Sequence, residues 1–274
     1  MTSWFFILYK KVSLIIRRKQ EIMDKKDDVK IIKSYWTKRA LSYSEQNKAE
    51  LECYKHNVWK HIILSNAPKK DILKVLDIGC GPGEFSIIMA EDGHDVIGVD
   101  ITDEMLKQAS ENAKKYNVEL SLKAMDVHNL EFEDDTFDLI ISRNVTWNLT
   151  NPKKFFKECK RVLKNGGRMI YFDGNWYAFL YDEESRLKKQ ISDKKFEAKY
   201  GYKSDHYIDE IGLLDLAYNL PMSKNIRPQW DVENLPKFGL NIIKVDSNLN
   251  NLIWDEVEQL KYEATPMFMV VAGK

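Results

Sequence analysis

Between residues 74 and 172, short apolar runs alternate with segments whose apolar residues recur every three or four positions. The runs are Lys74 to Ile78, Asp95 to Asp100, Leu120 to Met125, Phe137 to Ser142 and Arg168 to Phe172. Their length and near-continuous hydrophobicity predict strands buried on both faces. Glu84 to Glu91, Asp103 to Tyr116 and Pro152 to Leu163 carry the helical rhythm. Thr102 or Asp103 is suited to cap the second of these, Pro152 to open the third, and Gly166-Gly167 to close it. Such alternation predicts an α/β fold, a doubly wound sheet of mostly parallel strands with helices on both faces.

The flanks differ. From residue 28 to 65 the pattern is helical, and Leu51, Tyr54, Val58 and Ile62 mark one face of a helix starting near Ser44 and ending at Asn66-Ala67-Pro68. Residues 175–230 are aromatic-rich and charged, with helices expected near 181–199 and 206–219; this segment, to about 235, reads as a helical cap. Gly239 to Val245 and Met267 to Ala272 return to strand. Residues 1–22 hold two apolar blocks whose cations lie between and after them, the reverse of a signal peptide. They are expected to be a dispensable extension, so that a chain beginning at Met23 keeps the properties of one domain over 23–274.

Lys and Arg total 42, as do Asp and Glu, so the net charge is zero. That lowers the expectation of a nucleic-acid partner, whose phosphates usually call for a basic excess. The three cysteines, Cys53, Cys80 and Cys159, form no C-x-x-C pair, which argues against a disulfide framework or structural zinc and fits a reducing, cytoplasmic setting. No His or carboxylate set has metal-ligand spacing, and no apolar run approaches the roughly 20 residues needed to span a bilayer.

The strongest chemical signal is Val75-Leu76-Asp77-Ile78-Gly79-Cys80-Gly81-Pro82-Gly83-Glu84-Phe85. A strand ends in an acid, glycines follow, and a helix begins. Glycine lets a ligand approach the backbone closely. A dinucleotide loop offers its helix N-terminus to a pyrophosphate, but here Glu84 occupies that position, which suits a neutral or cationic ligand better. Asp100 ends the next strand, where a carboxylate can accept from ribose hydroxyls. Asp126-Val127 ends the third.

Together these residues resemble the class I S-adenosylmethionine-dependent methyltransferases, over residues 35 to 174 and the two late strands. The resemblance implies that Asp77, Gly79, Gly81 and Gly83 wrap the methionine end of the cofactor. It implies that Asp100, with Ile101 beside it, holds the ribose, that Met105 packs on the adenine, and that Asp126-Val127 borders its amino edge. Tyr35-Trp36-x-x-Arg39-Ala40-x-x-Tyr43 looks like the lead-in helix of the type 11 branch, which closes over the cofactor. Phe137 to Asn144 looks like the fourth motif, putting Arg143 with the cofactor and Asn144 with the acceptor. The implied strand order is 3-2-1-4-5-7-6, strand seven antiparallel. Ser142 to Trp147 replaces the Asn/Asp-Pro-Pro-aromatic sequence of the amino-methylating enzymes of DNA and protein glutamine, which disfavours those acceptors.

In-line displacement on a sulfonium needs alignment and dryness, and a base if the acceptor arrives protonated. Asp173, at the end of strand five, and His206 in the cap are the candidates. Trp147, Trp176, Tyr177 and Trp230 could line a pocket for an amine, or form the cap's own core. The sequence therefore reads as an enzyme moving a methyl group from S-adenosylmethionine to a small-molecule acceptor, an amine favoured over O, S or C. The alternatives are a cofactor-binding protein without transfer, or a methyltransferase acting on tRNA or protein.

Overall fold

The computed structural model describes residues 28–204 and 213–274; the segment 1–22 and His206 lie outside them. Strands β1 (Lys74–Ile78), β2 (Asp95–Asp100), β3 (Ser121–Ala124), β4 (Phe137–Arg143), β5 (Leu163–Asp173), β6 (Asn241–Asp246) and β7 (Phe268–Gly273) form one sheet. Its order is β3-β2-β1-β4-β5-β7-β6. The first five run parallel, and β7 is antiparallel to both β5 and β6.

Alternation along each strand divides the core into two layers, because successive side chains point to opposite faces. Val75, Leu139, Ile141, Ile170 and Phe172 join one cluster. Leu76, Ile78, Ile140, Met169 and Tyr171 join the other. Helices α1 (28–51) and α2 (Lys55–Asn66) precede the sheet. Helices α3 (Glu84–Glu91), α4 (Asp103–Lys115) and α5 (Pro152–Val162) connect its strands. Trp59 of α2 is fully buried, edge-on to Phe85 and Phe172 at 5.2 and 5.1 Å.

Two expected boundaries move. The lead-in is not one helix from Ser44: α1 ends at 51, the chain turns at 52–54, and α2 begins at Lys55. Tyr54 continues the apolar spacing but sits in the turn, 49% exposed. At the other boundary, α5 stops at Val162 and β5 starts at once, so Gly166 and Gly167 lie inside the strand. Gly166 takes a φ of +78° there, a local irregularity rather than a helix stop.

The cap between β5 and β6 contains α6 (Glu183–Tyr200), α7 (Leu213–Asn219) and α8 (Gln229–Asn234). Asp182 caps α6 by accepting from the Ser185 amide at 2.7 Å, and Gly201 ends it at φ +77°. A third apolar cluster joins Trp147, Leu216 and Leu220, with Ile32, Trp36, Trp176 and Tyr177 packed against it. It binds α1, the segment after β4 and the cap into one layer. Among the described residues no helix is long and apolar enough to cross a membrane.

Candidate cofactor and acceptor cleft

A cleft opens at the carboxyl ends of β1, β2, β3 and β4, where ligands of open α/β sheets sit. Counting the open solvent at its mouth, it encloses about 910 Å³ of space between atoms. One wall is α1. Val29, Ile32, Trp36, Tyr43 and Asn47 recur at helical intervals and present one face to the cleft.

The floor is the glycine loop. Asp77 is buried, and the Ser86 hydroxyl donates to its Oδ2 at 2.7 Å. Burial pushes its pKa up to about 7, against the pull of Ser86. Gly79 and Gly81 have φ of +64° and +52°, where side chains are disfavoured. A Cβ on Gly79 would strike Val145 Cγ2 at 2.3 Å. A Cβ on Gly81 would instead enter the cleft between Tyr43 and Met105, at 3.7 and 3.9 Å. Bare backbone at Gly81 thus makes the cradle. The Gly81 amide donates to Asp100 Oδ2 at 3.0 Å and the Thr102 amide to Oδ1 at 2.8 Å. Burial raises the Asp100 pKa, and those two amides oppose the rise. Asp100 therefore shapes the loop while each oxygen keeps a second lone pair.

Asp126 sits at the next strand tip. Its Oδ1 accepts from the His128 amide at 2.9 Å and meets His128 Nδ1 at 2.8 Å. The Asn151 amide donates to His128 Nε2, so the ring hydrogen belongs on Nδ1, facing Asp126. The hydrogen bond from His128 is the main reason the Asp126 pKa is lowered.

Beyond the loop lies a buried ion cluster. Arg143, at the end of β4, donates to Glu50 Oε2 at 2.6 Å and to Glu84 Oε2. Its guanidinium carbon lies 5.3 Å from both the Trp59 and Phe85 rings. Burial raises the Glu84 pKa well above the ordinary range, more than Arg143 lowers it. Glu50 is also buried, but Arg143 and Lys55 bring its pKa down.

The cleft brings together Tyr43, Asp77, Gly79, Gly81, Asp100, Ile101, Met105, Asp126, Val127, Arg143 and Asn144. Other expected residues lie off its lining. Tyr35 sits edge-on to Trp36, and Arg39 reaches Ser42 at 3.1 Å. Gly83 precedes α3, where a Cβ would press on Ala109 of α4 at 3.1 Å. Trp147 and Tyr177 lie tilted against each other at the third apolar cluster, and Trp230 packs with Phe156 and Phe238. Trp147 is buried in that cluster, and Trp176, Tyr177 and Trp230 are half-buried against the apolar clusters, the arrangement of the packing alternative.

Asp173 is also off the cleft and fully buried. Its Oδ2 accepts from the Thr146 hydroxyl at 2.6 Å and the Trp147 amide at 2.8 Å. Its Oδ1 accepts from the Gly174 amide and Trp176 Nε1, each at 2.8 Å. Arg227 lies 3.7 Å away, donates to Thr146, and forks onto Asp231 at 2.9 and 2.7 Å. A carboxylate so occupied has no lone pair to take a proton from an acceptor; it holds the turn after β4 in shape. Trp36, Asn47, Glu84 and His128 are cleft residues that sequence reasoning did not assign to the site. The helical spacing of 29, 32, 36, 43 and 47 carries the first two; nothing local marks the pairing of Glu84 with Arg143.

Residues 69–230 match the model of a family described as a methyltransferase domain. The ubiquinone biosynthesis O-methyltransferase of Coxiella burnetii is 28% identical over 109 residues, 39% of this chain and 47% of that protein. An uncharacterized protein of Methanocaldococcus jannaschii is 34% identical over 152 residues, 56% of this chain and 65% of its own. The chain thus spans from about half to two thirds of the length of these curated relatives. The phosphoethanolamine N-methyltransferase 2 of Haemonchus contortus, solved in complex with S-adenosyl-L-methionine, shares the fold. Its TM-score is 0.54 at 19% identity, covering 79% of this chain and 52% of that one.

The strand order and the glycine-loop cleft are those of class I S-adenosylmethionine-dependent methyltransferases. The chain belongs to the methyltransferase-domain family, whose model matches more than half of it. The residues fit the cofactor of that class: a bare backbone cradle at Gly81, carboxylates at two neighbouring strand tips, and unpartnered polar atoms at the third side.

Proposed function

We propose that this protein transfers a methyl group from S-adenosylmethionine to a small-molecule acceptor, an amine ahead of an oxygen, sulfur or carbon nucleophile. The observation that carries the reading is the loop already clamped to Asp100, with Asp126 at the adjacent strand tip and Tyr43 and Met105 flanking Gly81. When bound, the cofactor supplies an electrophilic methyl on sulfur. The chain's residues hold and dry the reactants. Asp100 is suited to the ribose hydroxyls and Asp126 Oδ2 to the adenine amino group, with His128 fixing the other oxygen. Trp36, which lines the cleft and packs against the third apolar cluster, is suited to exclude water.

Trp36, Tyr43, Asn144 and Asn148 line the cleft, aromatic and neutral surroundings that favour an amine over an anion. Asp173 serves by shaping the 144–147 turn, so the acceptor gives its proton to water before or during entry. The test is a panel of amine, phenol, thiol and carboxylate acceptors, with release of S-adenosylhomocysteine as readout. Turnover confined to amines is expected. Turnover on phenols alone would overturn the amine preference, and cofactor binding without turnover on any acceptor class, tRNA and protein included, would overturn transfer.

A further inference from the structure

Among the described residues, three buried polar atoms without a hydrogen-bond partner line the same cleft: Asn47 Nδ2, Glu84 Oε1 and Asn144 Oδ1. Asn144 follows β4, Glu84 is bound to Arg143 at the end of β4, and Asn47 is one helical turn from Glu50, the other partner of Arg143, whereas Asp100 ends β2 and Asp126 follows β3. A sulfonium nucleoside has a base, a diol and a zwitterionic amino acid. If the two strand-tip carboxylates take the base and the diol, the amino acid falls to the residues around Arg143. Two of the three orphaned atoms are acceptors, and one of those belongs to a carboxyl group 3% exposed. A buried acceptor left unmade is costly. An ammonium would satisfy it.

The charges around Glu84 explain how it waits. Arg143 from β4 is shared between Glu84 and Glu50 of α1. Lys55 of α2 is engaged with Glu258, at 2.6 Å from both carboxylate oxygens. Asp77 of β1 and Tyr43 of α1 also feel the guanidinium. One guanidinium thus faces two buried carboxyl groups, and removing charge from water is favourable only when it is balanced. Keeping one carboxyl protonated balances it until a cation arrives.

We propose that Glu84 receives the methionyl ammonium of the cofactor and releases its proton to solvent as that N–H···O bond forms. The inference rests on the cofactor reading of the cleft. Glu84 Oε2 stays on Arg143 while Oε1, the orphaned oxygen, accepts from the ammonium. Burial holds the Glu84 pKa high, consistent with a proton to release. One proton given up on binding makes affinity rise by roughly tenfold per pH unit while Glu84 is protonated in the free protein.

Calorimetric titrations in buffers of different ionisation enthalpy count the protons. S-adenosylhomocysteine carries the ammonium; 5′-methylthioadenosine has the nucleoside and no amino acid. With the unmodified protein the first ligand should release up to one proton more than the second. Its affinity should climb with pH, and that of the second should not. Glu84→Gln should abolish the difference and weaken S-adenosylhomocysteine by roughly ten- to a hundredfold, the span of a charge-assisted hydrogen bond. Equal release with both ligands overturns the proposal without a variant, which covers the case of Glu84→Gln failing to fold. A difference that persists in Glu84→Gln also overturns it and moves the role to Asp77. If neither ligand binds the unmodified protein, the cofactor reading falls and this inference with it.

Discussion

Replacing Asp173 by Asn separates a proton acceptor from a structural anchor. The substitution keeps the shape and turns one oxygen into a donor. Both oxygens already accept two donors each, at 2.6 to 2.8 Å, so whichever is replaced, two donors meet an N–H. A hydrogen bond to a charged group contributes about 1.5–3 kcal/mol, so two lost bonds amount to about 3–6 kcal/mol. Arg227 also loses a counter-charge at 3.7 Å, leaving it Asp231 alone. At about 2–4 °C per kcal/mol for a domain of this size, the melting temperature should fall by roughly 6–24 °C. Turnover of the folded fraction should drop at every pH by a similar factor, because the turn carrying Asn144 loosens. The assay is thermal unfolding alongside a pH–rate profile with the acceptor found by screening. A variant melting within about 2 °C of the parent, yet missing one limb of the pH profile, would refute the anchor and restore Asp173 as a base.

Gly81→Val should abolish cofactor binding, since its branches fill the gap between Tyr43 and Met105, while the φ of +52° costs roughly 1–2 kcal/mol of stability. Unchanged affinity by calorimetry would contradict the cradle. Asp100→Asn should weaken the cofactor by roughly ten- to a hundredfold through the lost charge-assisted bonds; an affinity equal to the parent's would move the ribose elsewhere. Asp138 offers a pH test. Burial pushes its carboxyl up, but Lys70, the Lys74 amide and Lys164 together bring it down to about 2. A folded pKa below the unfolded 3.8 stabilises above that value and is lost as pH falls from 3.8 to about 2. Asp138→Asn should therefore cost about 1–2 kcal/mol at neutral pH, allowing for solvent screening. The gap to the parent in urea should close across that window; a constant gap would rule out the linkage.

The strands and helices that frame the cleft were legible because their signals are local. Lys74–Ile78, Glu84–Glu91 and Asp95–Asp100 form with the limits their patterns predict. Boundaries slipped where a local rule met a tertiary demand. Tyr54 keeps the apolar spacing across a turn, and Gly166 lies in the irregularity between the Phe137–Leu163 and Leu139–Arg168 pairs, after which β5 continues against β4 and β7. In the cleft, Gly81, Asp100 and Asp126 were readable because each follows its strand. Trp176 and Trp230 pack against the apolar clusters and lie off the cleft lining, because aromatic composition does not distinguish core from pocket. Glu50 and Glu84 reach Arg143 across 93 and 59 residues of chain, a separation that no spacing rule encodes.

Arg227 has a consequence for how such a protein diversifies. It belongs to the cap, yet it touches Thr146 beneath the cleft at 2.8 Å and is closed off from water. An orphaned guanidinium, or an orphaned Asp173, would be severely penalised. A graft that exchanges the cap for a relative's must therefore carry Arg227 and Asp231 with it. The cap is tied to the rest of the fold at that clasp, so cap surfaces beyond it are free to drift without disturbing the turn that carries Asn144.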